Sequence, residues 1–564
     1  MISVTEKKWL QQKINKNLIE KVKQDYNLNY DLSQFIVNRN YDTSEIHSIN
    51  NAQKINNIFI NDYDYQKASS IISDAIKKNE NIGILGDYDV DGSCAASLLV
   101  RFFNHINQPH FFYIPDRVID GYGASKKLFQ KLILKNPKLI IMVDCGSNSN
   151  DAVDFLRQNN IKSIIIDHHE INNPYPKSDA LINPKKKIIK KEPTILCATT
   201  LTYFLLDILI KKTKSNFKLS KFLIYVLLAT ICDVMPLRKI NKIIAINTIR
   251  DFNIKDNAVF DFIFKQYDIK KKISIEDLGF LIGPIINAGG RLNYSNYGVE
   301  LLSTDNQEII KKRSINLIDL NNKRKKIEQN ILDDINFEKI KKDNKNVIIY
   351  YNNTLNEGLI GIIAARLKDY FNKPSIVITK SNNYLKASAR STSSYNLGHL
   401  IKLLIDKKII ENGGGHNLAA GFSFKNKNIY LLRNFIEKDF SKKNINSDNS
   451  IKYDSEISAS AINSQFLNEI SKLGPFGNEN LLPIFFIKNV KIIKSEIIKE
   501  KHISVLIKPN IGPSIKSICF NSVNSKLGEY LLSYKKEINL VAQIHQNFWN
   551  NKKAIQLNIK DLIL

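Results

Sequence analysis

Apolar runs of strand length alternate with amphipathic stretches in the first half of the chain. Between about residues 80 and 235 the strand-like runs are NIGILG, HFFYIP, LIIMVD and SIIID. The stretches SCAASLLVRFFNHI and DAVDFLRQNN between them have the apolar spacing of helices. This alternation is typical of a mostly parallel β-sheet covered by helices.

The second half of the chain shows three further patterns. Residues 300–342 are strongly charged with apolar residues at helical spacing, which predicts a long connecting helix. The runs NVIIYY, PSIVIT and YLKASAR then restart an α/β pattern. After a linker rich in Ser and Asn, five strand-like runs separated by turn signals favour a small β-barrel, with the OB-fold as the leading option.

These patterns predict an α/β fold of two lobes joined by a long helix, followed by an OB-like β-barrel. The predicted parts are an N-terminal extension (1–50), a catalytic core (51–240), a helical part with the long helix (241–342), a second α/β domain (343–445) and an OB-like nucleic-acid-binding domain (446–564). A chain of 564 residues is long enough for several domains, each with its own core.

Composition limits the class of partner and the compartment. The 82 Lys and Arg residues exceed the 55 acids, so a polyanionic partner is plausible, although Lys and Asn are abundant throughout the chain, as in proteins from AT-rich genomes. Five scattered cysteines without a CxxC pair indicate a reducing compartment and no disulfide framework. The first 17 residues lack an apolar signal core and no apolar stretch is long enough to span a membrane, so we expect a soluble, cytoplasmic protein with no membrane partner.

The stretch GDYDVDG places Asp87, Asp89 and Asp91 at alternate positions, where their charges repel each other unless a cation is bound. A calcium loop of the EF-hand kind would require a glutamate at its twelfth position, which is Leu98 here. The EF-hand interpretation therefore fails. A solvated acidic turn and a metal site both remain open at this point.

Further potential ligands stand at the ends of neighbouring apolar runs. They are Asp144 in LIIMVDCG, His168 and His169 in SIIIDHHE, and Asp233 in ATICDVMPL. Ligands gather at the carboxyl ends of strands in open parallel sheets. A carboxylate-rich site with imidazoles favours Mn²⁺ or Mg²⁺ over zinc, and this many acids favour two ions about 3.5 to 4 Å apart, a pair that lowers the pKa of water and clamps a phosphoester.

The motifs DYDVDG, VDCG, DHH and the isolated Asp233 resemble motifs of the DHH phosphoesterase superfamily. The segments INAGGRL (286–292), EGLIGIIAARL (357–367), ASARS (387–391) and GGHNLAAG (414–421) are similar to the later motifs of its members with a DHHA1 domain. LGPFGNENLLPIF (473–485) resembles the segment that opens the C-terminal domain of the RecJ exonuclease family. The resemblance implies a single-stranded-DNA-specific 5′-to-3′ exonuclease that releases 5′ mononucleotides with two Mn²⁺ or Mg²⁺ ions, in DNA recombination and repair.

The resemblance also implies roles for individual residues. The metal ligands are expected to be Asp87, Asp89, Asp91, Asp144, His168, His169 and Asp233, and all of these except Asp87 are also expected to be catalytic. Asp87 or Asp167 could instead orient a ligand. Expected substrate contacts are Arg117, Tyr122, Arg291, Asn356, Arg366, Ser388, Arg390, Ser391, Gly414, Gly415 and His416. Arginine suits phosphate bidentately, and the glycines at 413–415 let backbone amides approach an anion, although a tight turn without a ligand is the alternative.

The same resemblance implies steric exclusion of duplex DNA, a monomer, and single-stranded DNA as the partner, with recruitment by a single-strand-binding protein or a helicase left open. Two departures stand out: Leu355 and Asn356 replace a common Trp-His pair, and CATT (197–200) replaces a small GxG element. There are two alternatives. The first is a different enzyme, either a phosphodiesterase for short oligonucleotides or cyclic dinucleotides or a pyrophosphatase. The second is a non-catalytic DNA-binding scaffold. The first usually lacks the long helix and barrel, and the second usually loses metal acids.

Overall fold

The computed structural model describes residues 3–13, 15–50, 53–117, 119–121, 123–186, 195–381, 383–442, 450–533, 536–549 and 552–564. Two compact units divide the chain. The larger comprises residues 56–235 and 251–447, and the smaller comprises residues 1–55, 236–250 and 448–564. Among the described residues, no helix combines the length and the apolar character that a membrane crossing requires.

Eighteen strands are described. They are β1 (Lys8–Gln11), β2 (Ile82–Gly86), β3 (His110–Tyr113), β4 (Leu139–Val143), β5 (Lys162–Ile166), β6 (Ala180–Ile182), β7 (Ile348–Tyr351), β8 (Ser375–Ser381), β9 (Tyr384–Arg390), β10 (Asn412–Gly415), β11 (Ala419–Phe424), β12 (Ser450–Tyr453), β13 (Ser455–Ile457), β14 (Ile484–Ile498), β15 (His502–Pro509), β16 (Ile515–Cys519), β17 (Glu537–Trp549) and β18 (Lys552–Ile563).

The described α-helices are α1 (Lys16–Tyr26), α2 (Tyr30–Asn38), α3 (Thr43–Asn50), α4 (Tyr63–Lys77), α5 (Val90–His105), α6 (Lys126–Leu132), α7 (Asn150–Gln158), α8 (Ala198–Thr213), α9 (Leu223–Cys232), α10 (Lys239–Asp251), α11 (Ala258–Gln266), α12 (Ile275–Asp277), α13 (Gly283–Arg291), α14 (Tyr297–Leu302), α15 (Gln307–Asp334), α16 (Phe337–Asp343), α17 (Ile360–Phe371), α18 (Leu397–Asp406), α19 (Ile429–Lys442), α20 (Ser464–Ser471) and α21 (Lys526–Ser533).

The first sheet of the larger unit has the strand order β3-β2-β4-β5-β6, and all of its pairings are parallel. Strands β2 and β4 are buried along their whole length, as expected for central strands covered on both faces. Because the strands are parallel, the loops that follow β2, β4 and β5 lie at one edge of the sheet. This edge carries the acids and histidines singled out above.

The second sheet of the larger unit has the order β10-β11-β9-β8-β7 and is mostly antiparallel, with one parallel pairing between β7 and β8. Helix α15, 28 residues long, precedes it and fulfils the prediction of a long connecting helix. Arg366 of α17 donates from Nε to Glu328 of α15 at 2.7 Å, and Arg324 donates to the other oxygen of Glu328 at 2.7 Å. These contacts fasten the long helix to the second sheet's α17.

The smaller unit contains a six-stranded sheet of order β13-β14-β15-β16-β18-β17, which closes on itself through a pairing of β14 with β17. The five long strands β14–β18 coincide with the five predicted strand-like runs. Strand β1 pairs with β12, so the N-terminal residues form part of this unit together with residues 236–250. The predicted fold class, two α/β lobes and a C-terminal OB-like barrel, is thus confirmed.

Candidate active site

The loop after β2 folds tightly around its carboxylates. Asp89 caps the N-terminus of α5, and its Oδ1 accepts a hydrogen bond from the N–H of Gly92 at 3.1 Å. A Cβ atom at Gly92 would lie 2.5 Å from the backbone nitrogen and oxygen of Asp87. Only glycine therefore allows the loop to fold back this closely, and Asp87 and Asp91 are both buried as a result.

The next two strand ends bring in Asp144 and the histidine pair. Asp144 follows β4 in the left-handed region with φ of 61°, a conformation that Asp tolerates better than most residues. The rings of His168 and His169, directly after β5, have their centroids 4.7 Å apart. Adjacent residues of a strand would face opposite ways, so the turn that follows β5 is what allows both rings to reach one site.

His168 lies at the centre of the cluster. Its Nε2 is 3.2 Å from Asp144 Oδ1, 3.3 Å from Asp233 Oδ2 and 3.7 Å from Asp91 Oδ2. Asp233 reaches this position from the C-terminal end of α9, and the next residue, Val234, has φ of 54°, which is rare for a β-branched residue. Local backbone strain of this kind is frequent where a side chain has to be aimed at a functional site.

Asp167 supports the cluster from outside it. Its Oδ1 accepts hydrogen bonds from the N–H groups of His168 and His169 and from Nδ1 of His169 at 2.8 Å, and its Oδ2 accepts one from the N–H of Ser147. Burial would raise the pKa of Asp167, but the hydrogen bond and charge of His169 hold it well below its usual range. Asp167 thus fixes the orientation of His169, whereas Oδ1 of Asp87 is buried without a hydrogen-bond partner among the described residues.

Asp91 is held by the first turn of α8. Its two carboxylate oxygens accept hydrogen bonds from the N–H groups of Ala198 and Thr199 at 2.7 and 2.8 Å, and from the Thr199 hydroxyl at 2.6 Å. The N-terminus of a helix favours a negative charge. The CATT segment, which departs from the family pattern, therefore supplies a cradle for one of the clustered acids.

Burial and mutual repulsion dominate the electrostatics of the cluster. Burial and the neighbouring Asp89 charge raise the pKa of Asp87 to about 8 and that of Asp91 to about 6. Burial and the surrounding acids raise the pKa of Asp144 and that of Asp233 well above the usual range. Carboxylates in this setting need a compensating positive charge.

The two histidines respond to the cluster in opposite ways. Burial and the charge of His169 lower the pKa of His168 to about 3, so its ring is neutral and able to act as a metal ligand. Burial alone would lower the pKa of His169, but its hydrogen bond to Asp167 and the charge of Asp167 raise it to about 9.

The donor set fits divalent cations. Within the acidic cluster, three buried carboxylate oxygens accept no hydrogen bond from the residues that the structure describes: Asp87 Oδ1, Asp144 Oδ1 and Asp233 Oδ2. Three groups bring their ligand atoms within 4.8 Å of one another: Asp144 with His168 and His169, Asp91 with His168 and Asp233, and Asp87 with Asp89 and Asp144. The structure thus brings together all seven residues predicted as metal ligands.

Three arginines predicted as substrate contacts form a second cluster. Burial and the nearby Arg117 charge lower the pKa of Arg291 to about 10, and the same two causes lower the pKa of Arg390. Arg117 lies 4.2 Å above the ring of Tyr88, and its buried Nε has no hydrogen-bond partner among the described residues. Crowded guanidinium groups of this kind suit a phosphate.

Close backbone contacts connect the acidic loop to the segment of Arg291, and that segment to the loop of Gly358. A Cβ at Gly290 would lie 2.2 Å from the carbonyl oxygen of Tyr88, the residue between Asp87 and Asp89. A Cβ at Gly358 would lie 2.3 Å from the carbonyl oxygen of Arg291, and Nη1 of Arg291 donates to the carbonyl of Gly358 at 3.0 Å. The segments INAGGRL and EGLIG therefore fix the position of Arg291 relative to the acidic loop.

The other predicted substrate residues have varied surroundings. Oδ1 of Asn356, which departs from the family pattern, accepts a hydrogen bond from the N–H of Gly358. Asn356 thus contacts the residue whose carbonyl accepts from Arg291. Arg366 is paired with Glu328, so that ion pair would have to break before Arg366 could bind phosphate. The Ser391 hydroxyl donates to the carbonyl of Tyr395, whereas Ser388 Oγ receives a long 3.4 Å contact from Arg390.

Three predicted residues belong to the loop around β10. Gly414 and Gly415 are exposed in β10, and a Cβ at Gly414 would meet nothing within 4 Å, which leaves its backbone open to a ligand. Burial and the charge of Lys185 lower the pKa of His416. Tyr122, also predicted as a substrate contact, lies outside the described residues.

Sequence analysis did not predict the roles of several residues that shape the site. Thr199 and Gly290 act through contacts with residues about 108 and 200 positions away, which no local pattern encodes. Lys185 and Glu170 lie beside the histidines and pair with each other at 3.1 Å. In the sequence, Lys185 is marked only by its place in a KKK run and Glu170 only by its place directly after DHH.

Comparison with protein families assigns three segments of the chain. Residues 81–231 match the DHH family N-terminal domain, residues 344–442 match the DHHA1 domain, and residues 453–561 match the RecJ OB domain. The first match contains all residues of the acidic cluster except Asp233, which lies two positions beyond its end, and the second contains Arg390. The third coincides with the barrel of the smaller unit.

Individual proteins resemble the chain along most of its length. The single-stranded-DNA-specific exonuclease RecJ of Haemophilus influenzae is 27% identical over 511 residues, which cover 85% of this chain and 88% of that protein. The crystal structure of Thermus thermophilus RecJ in complex with Mn²⁺ has a TM-score of 0.81 at 18% identity and covers 99% of this chain and 79% of that one. The complex with Mg²⁺ has a TM-score of 0.75 at 17% identity, with coverages of 98% and 78%. At these identities the structural matches establish the fold.

Proposed function

We propose, from the matches of three segments to the DHH, DHHA1 and RecJ OB domains, that the chain is a single-stranded-DNA-specific 5′-to-3′ exonuclease. It releases 5′ mononucleotides by metal-dependent hydrolysis, in DNA recombination and repair. The observation that carries the proposal is the convergence of the seven side chains predicted as metal ligands beside a cluster of half-buried arginines.

Two divalent ions, Mn²⁺ or Mg²⁺, would be held by Asp87, Asp89, Asp91, Asp144, His168, His169 and Asp233. When bound, such a pair lowers the pKa of water and neutralises charge that develops on a phosphodiester. The unpartnered oxygens of Asp87, Asp144 and Asp233 support this assignment, because buried carboxylates without donors need positive charge. We assign Asp167 as a residue that positions His169.

The arginine cluster supplies the contacts to the strand. Arg117 and Arg390 present guanidinium groups that fit phosphate oxygens. Arg291 adds its charge and also holds the backbone of Gly358 in place. The exposed glycines of β10 and the neighbouring His416 complete a polar wall that binds the sugar-phosphate backbone without regard to base sequence.

The alternative enzyme, a phosphodiesterase for short oligonucleotides or cyclic dinucleotides, shares the acids and the DHH motif. The RecJ OB domain and the long helix α15 favour the nuclease that acts on long strands. The retained acids argue against a DNA-binding scaffold that has lost catalysis.

Single-stranded DNA is thus the substrate in this proposal. We also propose that the protein acts in the cytoplasm and that a helicase or a single-strand-binding protein would supply or hold the strand. We further propose that the chain acts as a monomer.

A substrate panel tests the proposal. A 5′-phosphorylated single strand, its duplex and a dinucleotide are each incubated with the enzyme and Mn²⁺, and initial rates are compared. We expect rapid loss of the single strand and little loss of the duplex, since paired strands are excluded sterically. Preference for the dinucleotide would overturn the assignment, and equal degradation of the duplex would overturn the exclusion of paired strands.

A further inference from the structure

An ion pair that no step above uses lies beside the two histidines. Nζ of Lys185 is 3.1 Å from Oε1 of Glu170, and Nδ1 of His416 is 3.9 Å from the same oxygen. The glutamate carboxylate therefore lies next to a lysine of the DHH domain and a histidine of the DHHA1 domain. Both neighbours are of the type that binds anions.

The backbone that carries Lys185 is fixed relative to the metal cluster. The side-chain amide of Asn183 donates to the carbonyl of His169 at 3.0 Å and to the hydroxyl of Ser147 at 2.7 Å. Oδ1 of Asn183 in turn accepts from the N–H of Lys185 at 2.8 Å. The chain after β6 is thus tied directly to the residue that follows His168.

The charge of Lys185 also acts on His416, a predicted substrate contact. Of the causes that lower the pKa of His416, the charge of Lys185 is second only to burial. The adjacent Lys186 differs, because its Nζ is bound to Asp64 and to the carbonyl of Leu181.

We propose that Lys185 is a further phosphate-binding residue and that Glu170 is its competitor in the free enzyme. In the absence of DNA the carboxylate of Glu170 occupies Lys185, and a phosphate of the incoming single strand takes its place. This inference rests on the proposed function, and it adds a contact and an internal competitor that the arginine cluster does not provide.

The exposure of the two partners makes this exchange feasible. The side chain of Glu170 is 65% exposed and that of Lys185 is 29% exposed. Ion pairs with exposed partners contribute little free energy because water screens them. A phosphate that is held at the same time by the arginine cluster can therefore displace the carboxylate, and a lysine contact to a strand phosphate adds to the salt dependence of binding.

Substitutions of the two residues are expected to shift KM in opposite directions. Lys185→Gln should raise KM for a 5′-phosphorylated single strand about tenfold, as expected for a lost charge-assisted hydrogen bond, with kcat nearly unchanged. Glu170→Gln should lower KM about two- to threefold, since only a weak competitor is removed. In the double variant the gain from Glu170→Gln should disappear, because the competition acts through Lys185.

Salt dependence separates a phosphate contact from a structural role. The slope of log KM against log salt concentration should become shallower by about 0.7 in Lys185→Gln, the value for one phosphate contact on a single strand. Lys177→Gln, which removes an exposed lysine of the same domain, serves as the charge-matched control and should change neither KM nor the slope.

The same variants are also tested by fluorescence anisotropy with a 3′-labelled, 5′-phosphorylated oligothymidylate in EDTA. Loss of affinity in Lys185→Gln and a gain in Glu170→Gln support the proposal even if the wild-type protein fails to degrade DNA, which would count against the proposed function instead. An unchanged salt slope in Lys185→Gln, or a gain from Glu170→Gln that persists in the double variant, would overturn the inference.

Discussion

The acidic cluster and the arginine cluster of the larger unit face the same physical problem with opposite signs. Burial and like-charge neighbours raise the pKa of Asp87 to about 8 and lower the pKa of Arg291 to about 10. Both clusters are therefore destabilising unless an oppositely charged ligand is present. Cations for one and phosphate for the other are the ligands that a metal-dependent nuclease brings together.

The two clusters differ in how much the protein itself compensates them. The arginines donate to backbone carbonyls, Arg291 to Gly358 and Arg390 to Ala389, so part of their hydrogen-bonding capacity is satisfied. In the acidic cluster, three carboxylate oxygens accept no hydrogen bond within the described ranges. We infer from this difference that the acids depend on their ligand for compensation more than Arg291 and Arg390 do. From the proposed function we expect loss of an acid to affect chemistry and loss of an arginine to affect binding.

Asp89→Ala gives the largest expected effect. Because the substitution removes a ligand from the group formed with Asp87 and Asp144, cleavage of single-stranded DNA with Mn²⁺ should fall by at least about a thousandfold, while affinity for the strand changes little. Initial rates and anisotropy measure the two quantities. Asp151→Ala, which removes an exposed acid of α7, is the control, and residual cleavage near the wild-type rate in Asp89→Ala would refute the metal assignment.

Gly290→Ala tests the link between the clusters. A Cβ at this position would lie 2.2 Å from the carbonyl oxygen of Tyr88, so the loop that carries Asp87 and Asp89 has to move. A displacement of about 1 Å in a catalytic group costs about a hundredfold in rate, and we expect kcat to fall by this order while KM changes less. An unaltered kcat in a folded variant would mean that this contact does not set the geometry of the acids.

Arg390→Gln tests whether the arginine cluster contributes to binding of the strand. Loss of one guanidinium from the cluster should raise KM for single-stranded DNA about tenfold and leave kcat within about twofold, because the contact is made before and during the reaction alike. Arg433→Gln, on an exposed part of α19, provides the matched control. A fall in kcat of the size expected for Asp89→Ala would contradict the division of labour between the two clusters.

Metal binding should stabilise the larger unit measurably. Chelated protein titrated with Mn²⁺ to about 100 times the dissociation constant should gain about 2.7 kcal/mol, which raises the unfolding midpoint by a few degrees in calorimetry. The Asp89→Ala variant should show a smaller shift. If Mn²⁺ left the wild-type midpoint unchanged, the unpartnered carboxylates would not be its binding site.

Lys242 provides a contrasting case in the smaller unit, because burial is the largest cause of its shifted pKa and charges of both signs lie nearby. Its Nζ is fully buried, lies 4.0 Å from the centre of the Tyr41 ring and has no hydrogen-bond partner among the described residues. Burial lowers the pKa of Lys242 to about 7. Its contribution to stability is therefore present above pH 10.5, the ordinary pKa, and lost as the pH falls through 7.

Lys242→Met removes this dependence. The stability of the wild type relative to the variant should rise by on the order of 1 to 2 kcal/mol between pH 7 and 9, measured by urea unfolding. Tryptophan fluorescence reports the smaller unit, because Trp9 and Trp549 both belong to it. A difference that is constant over this pH range would show that Lys242 keeps its ordinary pKa.

The sequence was sufficient to predict the arrangement of the acids but not their support. Asp87, Asp144 and His168 could be placed together because each follows an apolar run, and the carboxyl ends of parallel strands share one edge. The cradle of Asp91 at Thr199 and the contact of Gly290 with Tyr88 depend on residues distant in sequence, so no periodicity encodes them.

The position of the N-terminal residues in the fold also depends on contacts with residues distant in sequence. Predicted as an extension, residues 1–50 are part of the unit that contains the C-terminal barrel, and β1 pairs with β12 about 440 positions away. Residues 236–250 join the same unit, although the sequence interpretation divided them between the catalytic core and the helical part. Pairings of this range are determined by the assembled sheet and leave no local trace.

Product analysis on end-labelled single strands tests the central claim most directly. The enzyme with Mn²⁺ is given one strand labelled at its 5′ end and the same strand labelled at its 3′ end. We predict that the 5′ label appears first as a mononucleotide, while the 3′-labelled strand shortens in single-nucleotide steps. Release of the 3′ label first, or products of dinucleotide length and longer from internal cuts, would contradict the account.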